Sequence, residues 1–168
     1  HEVLKQVGEV GISAWRQQNQ NELVDWVTSR LRQFGFAGTR AAEPRERICE
    51  AVRRVVESER GEWLFAATHQ ETFSEYPLSA AIDGQVINVV IDRTFVDGDD
   101  RRWIVDYKTG EHRGGGLQAF IASEVERYQR QLNLYARVFR LMESRPISVA
   151  LFFPLLDQWR EWQWTESI

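Results

Sequence analysis

Residues 85–110 read QVINVVIDRTFVDGDDRRWIVDYKTG, and the way this stretch divides decides the fold. Two runs rich in Val, Ile, Phe and Trp lie on either side of DGDD at 97–100. β-branched and aromatic residues favour strands, and a break containing Asp-Gly between two such runs marks a hairpin. The spacing therefore predicts neighbouring antiparallel strands, each with an aspartate near the same end: Asp92 follows VINVVI and Asp106 follows WIV. On an extended chain Asp106 and Lys108 share a face, while Trp103, Val105 and Tyr107 take the other. Asp92 is then expected to meet Asp106 across the ladder, with Lys108 on their side.

Working outward, TFSEYPLSAAI at 72–82 is a third strand, joined through the turn at Asp83 and Gly84, which gives a three-strand antiparallel meander. After GEHRGGG at 110–116, the one candidate mobile stretch, residues 117–142 carry the periodicity of a long helix. ISVALFF at 147–153 and REWQW at 160–164 supply closing strands. Upstream, Val3, Leu4 and Val7 predict a short helix, and Asn21 is placed to cap one running through Leu23, Trp26, Val27 and Leu31. Pro44 in a first turn, then Ile48, Ala51, Val52, Val55 and Val56 at spacings of three and four, predict an amphipathic helix. The reading is an α/β (α+β) chain forming one domain over 1–168: a mostly helical part, 1–70, and a sheet with its long helix, 71–168.

The composition, 43% hydrophobic and 27% charged over 168 residues, is that of an ordinary soluble domain. No apolar stretch reaches the length of a membrane span and no basic-then-apolar leader opens the chain, so a cytoplasmic setting and no membrane partner are expected. The lone Cys49 excludes an internal disulfide and cannot supply the thiolates of a structural zinc or iron–sulfur cluster; among Ile48, Val52 and Val55 it reads as core. A net charge of −4 gives no general attraction for nucleic acid, so such a partner needs a local basic surface. The start at His1, not Met, suggests a fragment of a longer protein.

Two converging carboxylates repel unless a proton or cation lies between them. Their hard oxygens favour Mg²⁺ or Mn²⁺, and a lysine beside such a site can orient a water or neutralise charge on a phosphate. An Asp–Lys pair at a strand end is equally what a solvated salt bridge looks like. On the long helix Tyr128, Gln131 and Tyr135 form one stripe that can face the strand ends, with Val125, Leu132 and Phe139 packed nearby. Tyrosines at this spacing are commonly core, but a glutamine among them must find partners for its amide. Glu75 reads either as a further carboxylate in the cleft or as a solvated edge-strand charge. Arg93 is expected on the opposite face in a structural ion pair, and His112 and Arg113 in the glycine loop could approach phosphates or belong to a plain flexible loop.

IDR, about a dozen residues, DYKTG, and a helix carrying YQRQLNLYA together resemble the RecB-type branch of the PD-(D/E)xK nucleases, as fused to the C-termini of UvrD-like and AddA-like DNA helicases. SEYPLS before the first hairpin and the opening histidine followed by EVL extend the resemblance over most of the chain. It implies a restriction-endonuclease-like core, with a central mixed sheet built on the meander and flanked by helices. It implies a metal-dependent DNA nuclease, an exonuclease coupled to an attached or partner helicase in DNA processing or repair, acting on single-stranded ends. The implied metal ligands are His1, Asp92 and Asp106, with the backbone carbonyl of Tyr107 as an addition. Lys108 is the implied catalytic lysine, Gln131 and Tyr135 match the family's Q-x-x-x-Y pair that contacts DNA, Tyr128 joins them, and Glu75 matches a recurring secondary glutamate. The competing reading is a catalytically weak nuclease-like domain that binds DNA or a partner helicase.

Overall fold

The computed structural model describes residues 1–17, 20–110, 112 and 114–166. The chain groups into two compact units, His1–Ala67 and Thr68–Ile168, each with its own core.

The first unit is helical: α1 (Glu2–Val10), α2 (Ile12–Gln17), α3 (Gln20–Gln33), a 3₁₀ turn at Gly38–Ala41, α4 (Ala42–Glu57) and α5 (Glu59–Leu64). Leu4 and Val7 of α1, Leu23, Val27 and Leu31 of α3, and Ala51, Val52, Val55 and Val56 of α4 are buried, as their spacing predicts. Cys49 is 2% exposed, and burial pushes its thiol above the ordinary range, so it behaves as a small core residue. Asn21 is not a cap: α3 already begins at Gln20, which puts Asn21 inside the first turn. The short α5, which periodicity cannot detect in six residues, starts at a true cap. The Ser58 hydroxyl accepts from the Gly61 amide at 2.9 Å. Any side chain at Gly61 would collide with the Val55 carbonyl, 1.7 Å from an added Cβ.

The second unit holds β1 (Gln70–Ile82), β2 (Gln85–Val96), β3 (Arg102–Tyr107), α6 (Leu117–Arg140), β4 (Ile147–Phe153) and β5 (Gln158–Gln163). They form one sheet in the order β1-β2-β3-β4-β5. The β1–β2 and β2–β3 pairs are antiparallel, β3–β4 is parallel and β4–β5 antiparallel. The three-strand meander is the one the strand pattern predicts, and the mixed sheet built on it in an α+β chain is what the family resemblance implies. Asp83 and Gly84 have φ of 51° and 76°, the paired positive values of a type I′ hairpin. A parallel neighbour for β3 requires a crossover, and α6 provides it. Every residue of β3 and β4 is buried, as expected of central strands covered on both faces.

On one face Ile104, Val149, Leu151 and Phe153 pack with Ile121, Leu132, Ala136 and Phe139 of α6. On the other, the rings of Phe95, Trp103 and Trp159 succeed one another, and Tyr107 meets Phe152 edge-on at 6.1 Å. The face predicted for Trp103, Val105 and Tyr107 is thus opposite that of Asp106.

β2 changes sides along its length. Val89 and Ile91 join the α6-facing cluster. Thr94, three residues beyond Ile91, is paired with Ile104 of that same cluster. Strict alternation cannot put residues three apart on one side, so the pleat is interrupted between Ile91 and Thr94, at Asp92. Across the ladder no pair forms between Ser74↔Arg93 and Tyr76↔Ile91, and Glu75 at that level has φ of 47°. The register is the same on both sides of this gap, so the strands are distorted there without an inserted residue; the bulge of this ladder lies between Gln70 and Phe73. Among the described residues no helix is long and apolar enough to cross a membrane.

Candidate active site

The β2–β3 ladder runs from Val96↔Arg102 to Arg93↔Val105; the same register carried one step further sets Asp92 opposite Asp106. The Asp92 carboxylate, half-buried, accepts the Tyr107 amide N–H at 2.7 Å. Asp92 does not end its strand as its apolar run predicts, because β2 continues to Val96; its bond ties the interior of β2 to the end of β3 where the backbone ladder between them stops. Asp106 is 5% exposed, and its Oδ2 lies 2.5 Å from Lys108 Nζ. Lys108 in turn donates its backbone N–H to the Phe152 carbonyl at 2.8 Å, so β4 fixes the backbone from which the lysine projects. The structure therefore brings Asp92, Asp106 and Lys108 together at one end of the sheet.

The α6 stripe lies over this end. Lys108 Nζ sits 3.5 Å from the centroid of the Tyr128 ring. The Gln131 amide donates to the Tyr135 hydroxyl in a short hydrogen bond, which gives the half-buried amide the partner it needs. Burial raises the Tyr135 phenol above its usual range; the Gln131 bond opposes this, and the negative charges of Asp106 and Asp92 add to it. Tyr135 therefore stays protonated, able to donate toward an anion near both aspartates.

Glu75 lies at the interruption facing Asp92, on the edge strand, and is half-buried. His1 precedes α1 in the helical unit, its carbonyl accepting from the Lys5 amide at 3.0 Å. Arg93 is on the opposite face as expected, 2% exposed, donating to the Ser74 hydroxyl at 3.3 Å and lying over the Phe95 ring. His112 stacks on Phe120 with centroids 4.7 Å apart; Arg113 lies outside the described residues.

The donor chemistry fits a hard divalent cation. Among the described residues no group of three His, Cys, Asp or Glu side chains forms a cage. Mg²⁺ needs none, because it commonly takes one or two carboxylates and keeps water or substrate oxygens for the rest. The carboxylates of Asp92 and Asp106 meet that description.

The far end of β3 carries a second set of charges that local motif reading did not foresee. Arg102, its side chain 3% exposed, is flanked by Glu71 and Glu143, with the Glu143 bond at 2.7 Å. Its guanidinium covers the Phe139 ring at 4.8 Å. Arg145 binds Glu71, Glu143 and Asp100 at 3.2, 2.6 and 2.7 Å. The available signal was Arg102 sharing the inward face with Ile104, where a buried guanidinium must find counter-charges.

A family model described as the PD-(D/E)XK nuclease superfamily matches residues 1–161. No curated protein matches the chain. Among solved structures, one described as the crystal structure of SSO0001 is 13% identical, covers 99% of this chain and 78% of its own, and superposes with a TM-score of 0.38.

Proposed function

Because the chain belongs to the PD-(D/E)XK nuclease superfamily, we propose that it is a divalent-metal-dependent deoxyribonuclease whose chemistry resides at the Asp92, Asp106 and Lys108 end of the sheet. The observation that supports this reading is Lys108 Nζ 2.5 Å from Asp106 at the end of β3, where Asp92 accepts the Tyr107 amide at 2.7 Å. Asp92 and Asp106 would hold Mg²⁺ or Mn²⁺, with the Tyr107 carbonyl and, by resemblance, His1 as further ligands. A cation held there acts as a Lewis acid toward the phosphodiester. Lys108 orients the attacking water and offsets charge building on the phosphate. The Gln131 amide and the protonated Tyr135 phenol hydrogen-bond phosphate oxygens and position the strand. Glu75 acts on the rim.

The finer assignment is an exonuclease on single-stranded DNA ends, within a larger helicase-nuclease of DNA repair or recombination in the cytoplasm. It rests on the joint spacing of IDR, DYKTG and YQRQLNLYA.

End-labelled single-stranded DNA with Mn²⁺ tests the chemistry. Wild type is expected to cleave it, and Lys108→Ala to lower the rate by about 10³-fold; equal rates would remove Lys108 from the reaction. Thermal melting tests the cation separately. Mn²⁺ at a hundred times its Kd should stabilise wild type by about 2.7 kcal/mol and Asp92→Asn far less. A wild-type midpoint unmoved by Mn²⁺ would count against the site.

A further inference from the structure

We infer that Tyr128 is a positioning residue for Lys108, its ring face holding the ammonium, and not a contact for the nucleic acid strand. The inference rests on the reading of Lys108 given above and deepens it. Lys108 Nζ is 3.5 Å from the Tyr128 ring centroid and 2.5 Å from Asp106 Oδ2. The ammonium thus lies between a carboxylate and an electron-rich face, and the Lys108 side chain is only 15% exposed. A cation over a ring gains most where water is excluded. The ring also restricts a flexible four-carbon stem that would otherwise sample many rotamers.

This arrangement has a consequence for the reaction. Asp106 serves both Lys108 and the proposed cation. When the cation draws on the carboxylate, the Tyr128 face remains as the contact that keeps Lys108 at the strand end. Hydrogen bonding by the phenol group plays no part in this: the face of phenylalanine serves as well, and an aliphatic side chain of similar size does not.

The chain contains two lysines, Lys5 and Lys108, so protein made with ¹³C-lysine gives two sets of side-chain signals. Metal-free, full-length wild type and Tyr128→Phe should both show one Hε signal displaced upfield by the ring. In Tyr128→Leu that signal should move to the position of an exposed lysine. With DNA and Mn²⁺, Tyr128→Leu should lose roughly tenfold in kcat, the scale of one such contact. KM should stay within about twofold, and Tyr128→Phe should keep nearly full activity. An undisplaced signal in wild type, or a Tyr128→Phe loss equal to that of Tyr128→Leu, would overturn the inference. Because the spectrum needs neither metal nor substrate, a displaced signal in an inactive protein would sink the nuclease reading while leaving the contact in place.

Discussion

The two ends of β3 carry comparable sets of charges and use them differently. At its start, Arg102 lies under Phe139 and is answered by Glu71 and Glu143, which are shared with Arg145. Each acid there has an arginine, and two arginines share the acids. At its finish, Lys108 pairs with Asp106 at 2.5 Å, and Asp92 accepts the Tyr107 amide that lies between them in sequence. Arginine's fork suits a closed lattice of bidentate bonds; lysine's compact ammonium suits a contact that can be re-formed. The first end therefore joins β1, β3 and the segment after α6, while the second holds the side chains to which the proposed chemistry is assigned. The difference teaches that a buried charge cluster is read by the kind of cation it holds and how readily that contact can be exchanged.

Breaking each end in turn should separate activity from stability. Asp106→Asn is expected to have the largest effect, lowering DNA cleavage by about 10³-fold, or about 4 kcal/mol in the barrier, with unfolding free energy changed by about 1 kcal/mol or less. Cleavage assays beside urea melts check this; a large stability loss would make Asp106 a structural residue like Arg102.

Arg102→Met should behave in the opposite way. Removing one member of a buried pair leaves carboxylates facing an apolar layer and should cost about 3 kcal/mol of stability, while cleavage per folded molecule at low temperature stays near wild type. A catalytic collapse without destabilisation would show that the two ends are coupled.

The smallest effect sharpens the comparison through pH. Burial opposes ionisation of Glu143, but the hydrogen bonds from Arg102 and Arg145 outweigh it and hold the carboxyl below its usual range. A depressed folded-state value contributes stability above the unfolded value and loses it as pH falls through the folded one. Glu143→Gln should therefore cost about 1–2 kcal/mol at pH 7, with the gap to wild type closing below about pH 4. Denaturant midpoints across that range are the measurement, and a gap constant with pH would assign Glu143 to packing alone.

Much of this was legible in the chain because local signals agreed. DG at 83–84 and DGDD at 97–100 fixed two hairpins, alternation set the faces of Trp103 and Asp106, and β4 appears at the residues its apolar run marks. Hairpin geometry alone predicts that Asp92 meets Asp106, and the Asp92 bond to the Tyr107 amide lies at that level. What escaped was non-local or too short to show a period. The six-residue α5 depends on a serine cap and on a glycine fitted against Val55. The Arg102 lattice draws on Glu71, on Asp100, and on Glu143 and Arg145 together, three separate segments that no window joins. The interruption of the pleat at Asp92 escaped too, because alternation assumes that a strand keeps its faces throughout.

That interruption guards the hairpin against misalignment. In a uniformly pleated ribbon, sliding one partner by a single residue exchanges inside for outside everywhere, and a mostly apolar ribbon can tolerate the exchange. Here the α6-facing side of β2 is odd-numbered as far as Ile91 and even-numbered from Thr94 onward. A slipped pairing cannot suit the α6-facing positions of both halves at once. The residue that equips the chain for chemistry thereby also helps to dictate how its two longest strands zip together.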